Sequence, residues 1–177
     1  MAAAAESLPF TDGAFDAALS QLVVNFMRDT EAGVGEMVRV TRSGGIVASC
    51  VWDYGGEMTF LRAFWDAARE ADPDRAAAAD ETAVMRWCGE GELAELWRSA
   101  GLRRVRFGPL VVRASYAGFE DLWTPLLAGV GPSGAFCKAL DEDRRAVLRD
   151  AFQRQLGVGD APFELTARAW AVAGTVP

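Results

Sequence analysis

The side chains that could do chemistry here are defined first by an absence. The 177 residues contain no histidine, which excludes serine–histidine and cysteine–histidine nucleophilic pairs and histidine-ligated metals. Cys50, Cys88 and Cys137 stand at no metal or redox spacing, and an odd count with no secretion signal predicts free thiols in a reducing cytoplasm. Two acidic pairs, Asp12 with Asp16 and Asp141 with Asp143, have the residue type for general acid–base work. They sit at a turn and a helix start, where carboxylates commonly serve the backbone, so the structural use is favoured. Two segments match a dinucleotide fingerprint by letter. Gly129–Gly134 follows a helix rather than a strand, and Gly89–Ala94 sets Glu90 and Glu92 where a phosphate would lie, so neither reads as a nicotinamide or flavin site. No catalytic residue and no metal ligand is nominated.

The elements that must position any site begin with Leu8–Asp53. The apolar run from Phe15 to Phe26 is too continuous for a half-exposed strand and predicts one covered on both faces, as in a parallel sheet. Asp29 and Thr30 can accept from the first helical amides, so a helix is expected from there to about Val40, with Val34 and Val38 one turn apart. Gly33 and Gly35 weaken it by ~1 kcal/mol each. Gly44-Gly45 gives the backbone freedom for a reversal, and Ile46–Val51 returns to the sheet. This is one βαβ crossover.

Beyond it, Met58–Ala71 predicts an amphipathic helix with Phe60, Leu61, Phe64, Trp65 and Ala68 on one side. Core packing is the favoured reading; the alternative is that Trp52, Phe60, Phe64 and Trp65 line an apolar substrate chamber. Asp72–Thr82 reads as a mobile loop, and Glu90–Ala100 as a helix closed by Gly101. Arg103–Phe107, a Gly108-Pro109 kink and Leu110–Ala114 read as one extended segment interrupted by a bulge or bend. A helical stripe from Phe119 to Leu127, a glycine-rich loop at Gly129–Gly134, a helix capped by Asp141 and a strand within Phe163–Val176 complete the chain. With no repeat or linker, residues 1–177 read as a single domain.

A net charge of −7 and a pI near 4.7 exclude nucleic acid and anionic membrane as expected partners. Arg103, Arg104 and Arg106 alternate with Val105 and Phe107, the pattern of a solvated strand face. No apolar run is long enough to span a bilayer.

Several residues recur together in a known order: Ala5-Glu6-Ser7-Leu8-Pro9-Phe10, Asp12, Phe15-Asp16, Glu36, Arg39-Val40, Arg42, Gly44-Gly45 and Trp52-Asp53. In that order and spacing they resemble the second half of a class I S-adenosylmethionine-dependent methyltransferase domain of the small-molecule type. Ser43 replaces the family's usual proline, and Ala4 its usual aspartate facing the adenine. The glycine-rich turn and the acidic ribose ligand of the family would precede Leu8. The resemblance implies an α/β fold: a partial Rossmann-like sheet, parallel crossover strands followed by a late antiparallel pair, with flanking helices. It implies S-adenosylmethionine as cofactor, with Ala5 and Glu6 bordering the adenine, Ser20 and Gln21 beside the methionine part, and Asn25 and Phe26 facing a small-molecule substrate. Ligands of open α/β sheets bind beyond the carboxyl ends of the strands, which adds Trp52 and Tyr54 on the substrate side. Hydrogen bonding at a helix entry is the competing use of Ser20 and Asn25.

Methyl transfer tolerates a chain without histidine, because the methyl moves in line from a sulfonium and most of the work is positioning and exclusion of water. Two functional expectations follow. One is methyl transfer to a small molecule, with cofactor binding either impaired or completed by another copy or chain; the other is a truncated or degenerate, non-catalytic domain acting as a dimeric binding or scaffold module. Without the family's first strand beside it, the first crossover strand becomes an exposed edge. That predicts a homodimer through this edge, or a fragment of poor stability.

Overall fold

The structure, a computed structural model, describes residues 3–177, the side chain of Ala83 excepted. Two compact units are present: one comprises the chain up to Asp53 with Met85–Val111 and Arg168–Pro177, the other Tyr54–Val84 and Val112–Ala167. A four-stranded sheet has β1 (Phe15–Gln21) at one edge, then β2 (Thr41–Trp52), β4 (Phe163–Thr175) and β3 (Arg103–Tyr116). β1 runs parallel to β2 and β4 antiparallel to it. With its flanking helices this is the expected α/β class.

In the first unit, α1 (Thr30–Val40) starts where Asp29 accepts from the Ala32 amide at 3.0 Å. Its Val34 and Met37 pack with Val47 and Val51 of β2, with Leu93, Leu96 and Trp97 of α4 (Glu92–Ser99), and with Trp170 and Val172 of β4. The Trp97 indole donates to the Val47 carbonyl at 2.9 Å, so burial of this tryptophan leaves no orphaned N–H.

β1 is neither as long nor as covered as its composition predicts. It ends at Gln21, Leu22 turns with φ 58°, and Val24–Phe26 forms a 3-10 turn. Leu19 is 76% exposed. The physical reason is its edge position: with one neighbouring strand, only Ala18 among its side chains packs against the core cluster. Between Phe15 and Ala17 the register jumps from Thr41 to Ile46. Gly45 permits this: a Cβ there would lie 2.7 Å from the Asp16 carbonyl oxygen and 2.8 Å from that of Arg42.

In the second unit, α2 (Thr59–Ala71) and α7 (Glu142–Leu156) pack through aromatic rings. Phe64 meets Phe152 edge-on at 5.6 Å, and Phe136 of α6 (Gly131–Ala139) meets Trp65 at 5.5 Å. Phe119 of α5 (Phe119–Leu127) also meets Phe152, at 5.7 Å. Two expectations change. Asp72–Thr82 is not a loop: Pro73–Ala79 forms α3, with Asp72 accepting from the Arg75 amide and proline at its favoured first position. Of the expected glycine-rich loop only Gly129 and Val130 stay outside a helix, and Gly131–Gly134 opens α6. Gly108-Pro109 lies within β3, an edge strand that tolerates the missing amide. Among the described residues, no helix is long and apolar enough to cross a membrane.

Candidate functional site

The carboxyl end of β1 gathers polar groups at the rim of apolar grooves. Ser20 lies opposite Ser49 of β2, and Gln21 opposite Cys50. The hydroxyls of Ser20 and Ser49 are both buried with no hydrogen-bond partner among the described residues. Such groups are costly to bury unsatisfied and mark a place where something polar belongs. Just beyond, Asn25 donates its amide to the Met85 sulfur at 3.3 Å, and its buried Oδ1 has no hydrogen-bond partner among the described residues.

Two grooves flank this strand. One, of about 410 Å³, brings Ala5, Ser20 and Gln21 together against Phe15, Met27 and Met37. The other, of about 610 Å³, is lined by small side chains of β2 and β4, among them Ala48, Cys50, Ala171 and Ala173, with Arg106 along it.

Beside the first groove lies a strap, residues 8–12, held by one arginine. Arg39 of α1 donates to the Leu8 carbonyl at 3.0 Å, the Phe10 carbonyl at 2.8 Å and Asp12 at 2.7 Å. Its other partner, Glu36, accepts the Leu8 amide at 2.7 Å. The Arg39 guanidinium, helped by that amide, pulls the Glu36 carboxyl down to about 2. Composition identifies Glu36 and Arg39 as part of a pattern but gives no hint that they tie down the strap.

The nominated residues divide. Ala5, Ser20 and Gln21 share one groove. Glu6 does not line it; its Oε1 accepts the Arg28 amide at 3.0 Å and the Asp29 amide at 3.3 Å, and amide donors, its own foremost, hold its carboxyl below the usual range. Phe26 is 59% exposed. Trp52 ends β2 half-buried, and the next residue, Asp53, is buried and accepts from Arg168 at 2.8 Å. That guanidinium also lies 4.4 Å over the Trp170 ring. Tyr54 is buried, in the second unit. Phe64 and Trp65 belong to the aromatic core of that unit, as plain packing predicts. Asp12 and Asp16 form ion pairs with Arg39 and Arg42, and Asp141 caps α7. The residue that sequence reasoning passes over is Ser49, whose one signal is a hydroxyl inside an otherwise apolar strand. Among the described residues, no group of acidic or cysteine side chains is arranged to hold a metal.

Residues 1–49 match the model of the methyltransferase domain family. A demethylmenaquinone methyltransferase of Streptomyces avermitilis is 29% identical over 127 residues, covering 66% of this chain and 55% of that protein. One from Mycolicibacterium vanbaalenii is 30% identical over 112 residues, covering 58% and 49%. The chain thus spans about half the length of these curated relatives. A crystal structure from Bacillus halodurans, described as a candidate methyltransferase, superposes over 99% of this chain and 76% of its own, with a TM-score of 0.54 at 14% identity. The chain therefore carries the fold of the class I S-adenosylmethionine-dependent methyltransferases, and its first 49 residues carry that family's sequence pattern.

Proposed function

We propose that this chain takes part in S-adenosylmethionine-dependent methyl transfer to a small molecule, with the carboxyl end of β1 as the cofactor side. The observation that carries this reading is the groove shared by Ala5, Ser20 and Gln21, with the unpartnered Ser20 hydroxyl at its edge. Open α/β sheets bind ligands at this end of their strands, and a mostly apolar groove with a few convergent polar groups suits a small organic ligand. The residues present fit one side of the cofactor. Ser20 and Gln21 supply polar contacts, while the apolar wall of Phe15, Met27 and Met37 excludes water. Among the described residues, no acidic side chain lines this groove, so the ribose hydroxyls would find their carboxylate outside it. When bound, the cofactor supplies an electrophilic methyl on sulfur. This chain's part is to orient it and keep water away. Asn25, Phe26, Trp52 and Tyr54 are the substrate-side candidates, and the cytoplasm, with its free thiols, is the proposed compartment.

The second reading is a non-catalytic binding module. It is favoured by the engagement of Glu6 with the Arg28 and Asp29 amides, which removes the one acidic candidate from the cofactor. Calorimetric titration with S-adenosylhomocysteine separates the two. Micromolar binding that weakens in Ser20→Val supports methyl transfer. A folded chain that takes up no ligand leaves the binding module.

A further inference from the structure

We propose that Arg104 and Arg106 of β3 form a binding site for a compact dianion, the phosphate group of a small phosphate monoester. Both side chains line one hollow of about 240 Å³, with Ile46 of β2 and Ala173, Gly174 and Thr175 of β4. Val47 and Val172 pack into the core with α1 and α4, so their strand neighbours Ile46 and Ala173 point to the other face of the sheet. The hollow therefore opens on the face away from those helices. β3 is at the opposite edge of the sheet from β1. Ile46 pairs with Ala17 near the start of β1, while Ser20 and Gln21 pair toward its carboxyl end. The hollow and the proposed cofactor side thus lie at opposite ends of β2, and this inference does not rest on methyl transfer.

Charge sets this hollow apart. The chain carries 25 acidic residues against 18 basic ones, and arginines elsewhere meet them: Arg39 with Asp12, Arg42 with Asp16, Arg154 with Glu70. Among the described residues, neither Arg104 nor Arg106 has a carboxylate partner. Like charges side by side on a sheet face repel, yet a chain with acids to spare leaves this pair open. The backbone adds a second sign. Arg104 adopts φ 52°, a conformation that side chains disfavour and glycine takes without strain. Exposed charge does protect an edge strand from pairing, but Arg103 and Arg113 of β3 are exposed and already serve that end. A strained position is kept where its side chain has a task. Two guanidinium forks beside the Thr175 hydroxyl suit an anion with several acceptor oxygens and nearly two charges, which a phosphate monoester supplies. A carboxylate brings two oxygens and one charge. Ile46, Ala173 and Gly174 give the hollow an apolar floor, against which a short organic substituent can lie.

The test is calorimetric titration of the full chain with glycerol 3-phosphate, at an ionic strength fixed with sodium chloride so that screening stays constant. Saturable binding is expected, with acetate binding about tenfold more weakly. Arg104→Gln and Arg106→Gln should each weaken it by about tenfold, the effect of losing one charge-assisted contact. Arg103→Gln, exposed and outside the hollow, should bind as the unmodified chain does. Arg104→Gly covers the case in which a glutamine variant misfolds. Glycine relaxes the left-handed backbone, so this variant should melt at least as high as the unmodified chain while binding falls by a similar factor. Non-saturating heats, equal affinity for acetate, or an equal loss in Arg103→Gln would overturn the site. So would undiminished binding by Arg104→Gly. None of these readouts involves S-adenosylhomocysteine, so failure of the methyl-transfer reading would leave them unchanged.

Discussion

At the scale of single residues, Glu36 is a carboxylate whose charge helps hold the strap. Its carboxyl is pulled down to about 2 by Arg39 and the Leu8 amide. A carboxyl depressed in the folded state contributes stability that is present above its unfolded value and lost as pH falls through the folded one. Acid unfolding should therefore steepen between about pH 4.5, where an unperturbed glutamate titrates, and pH 2. In Glu36→Gln that part of the slope should vanish, which urea melts across the range will show. A second buried dependency is Trp97, fully buried and bonded to the Val47 carbonyl. Trp97→Phe should keep most of the packing and lose only the indole's bond, the Val47 carbonyl keeping its place in the ladder with Gly174 of β4, at a cost of ~1 kcal/mol measured by denaturant unfolding.

At the scale of elements, the turn before Ile46 is the most exacting. Because a Cβ at Gly45 would crowd two carbonyl oxygens, Gly45→Ala should loosen the pairing of β1 with β2, and hydrogen exchange at the β1 amides should quicken. The α1 segment is legible in the sequence because Asp29 and the Val34 spacing are local signals that agree. α3 is harder to read, since acidic residues and a proline suggest a loop until Asp72 is seen as a cap and Pro73 as a first helical residue. The end of β1 is illegible for a different reason. Leu22 adopts φ 58° although leucine disfavours it, so only tertiary packing decides where the strand stops. At the site, Ser20 and Gln21 follow from the strand-end rule. The use of Glu6 depends on amides 22 and 23 residues away, a separation that local sequence does not encode.

At the scale of the whole molecule, stability and ligand binding are coupled quantities. If the Ser20 hydroxyl orients the cofactor, S-adenosylhomocysteine should raise the melting temperature of the unmodified chain more than that of Ser20→Val. A ligand at free concentration L stabilises the folded state by RT ln(1 + L/Kd), so a weaker Kd gives a smaller shift. Equal shifts in both would mean that this hydroxyl takes no part in binding. Thermal melts at fixed chain concentration decide this.

The strap along residues 8–12 has a consequence for how this sequence can drift. Arg39 holds it by the carbonyls of Leu8 and Phe10, and Glu36 by the Leu8 amide, all groups that nearly every residue type provides. Substitutions within the strap should thus be widely tolerated, save at Asp12, whose carboxylate Arg39 also holds, and save proline at position 8, which would remove the amide. Arg39 itself should accept almost none, lysine included, because a point charge cannot reach two carbonyls and two carboxylates at once. A saturation scan would show a permissive stretch of chain governed by one intolerant position nearly thirty residues downstream.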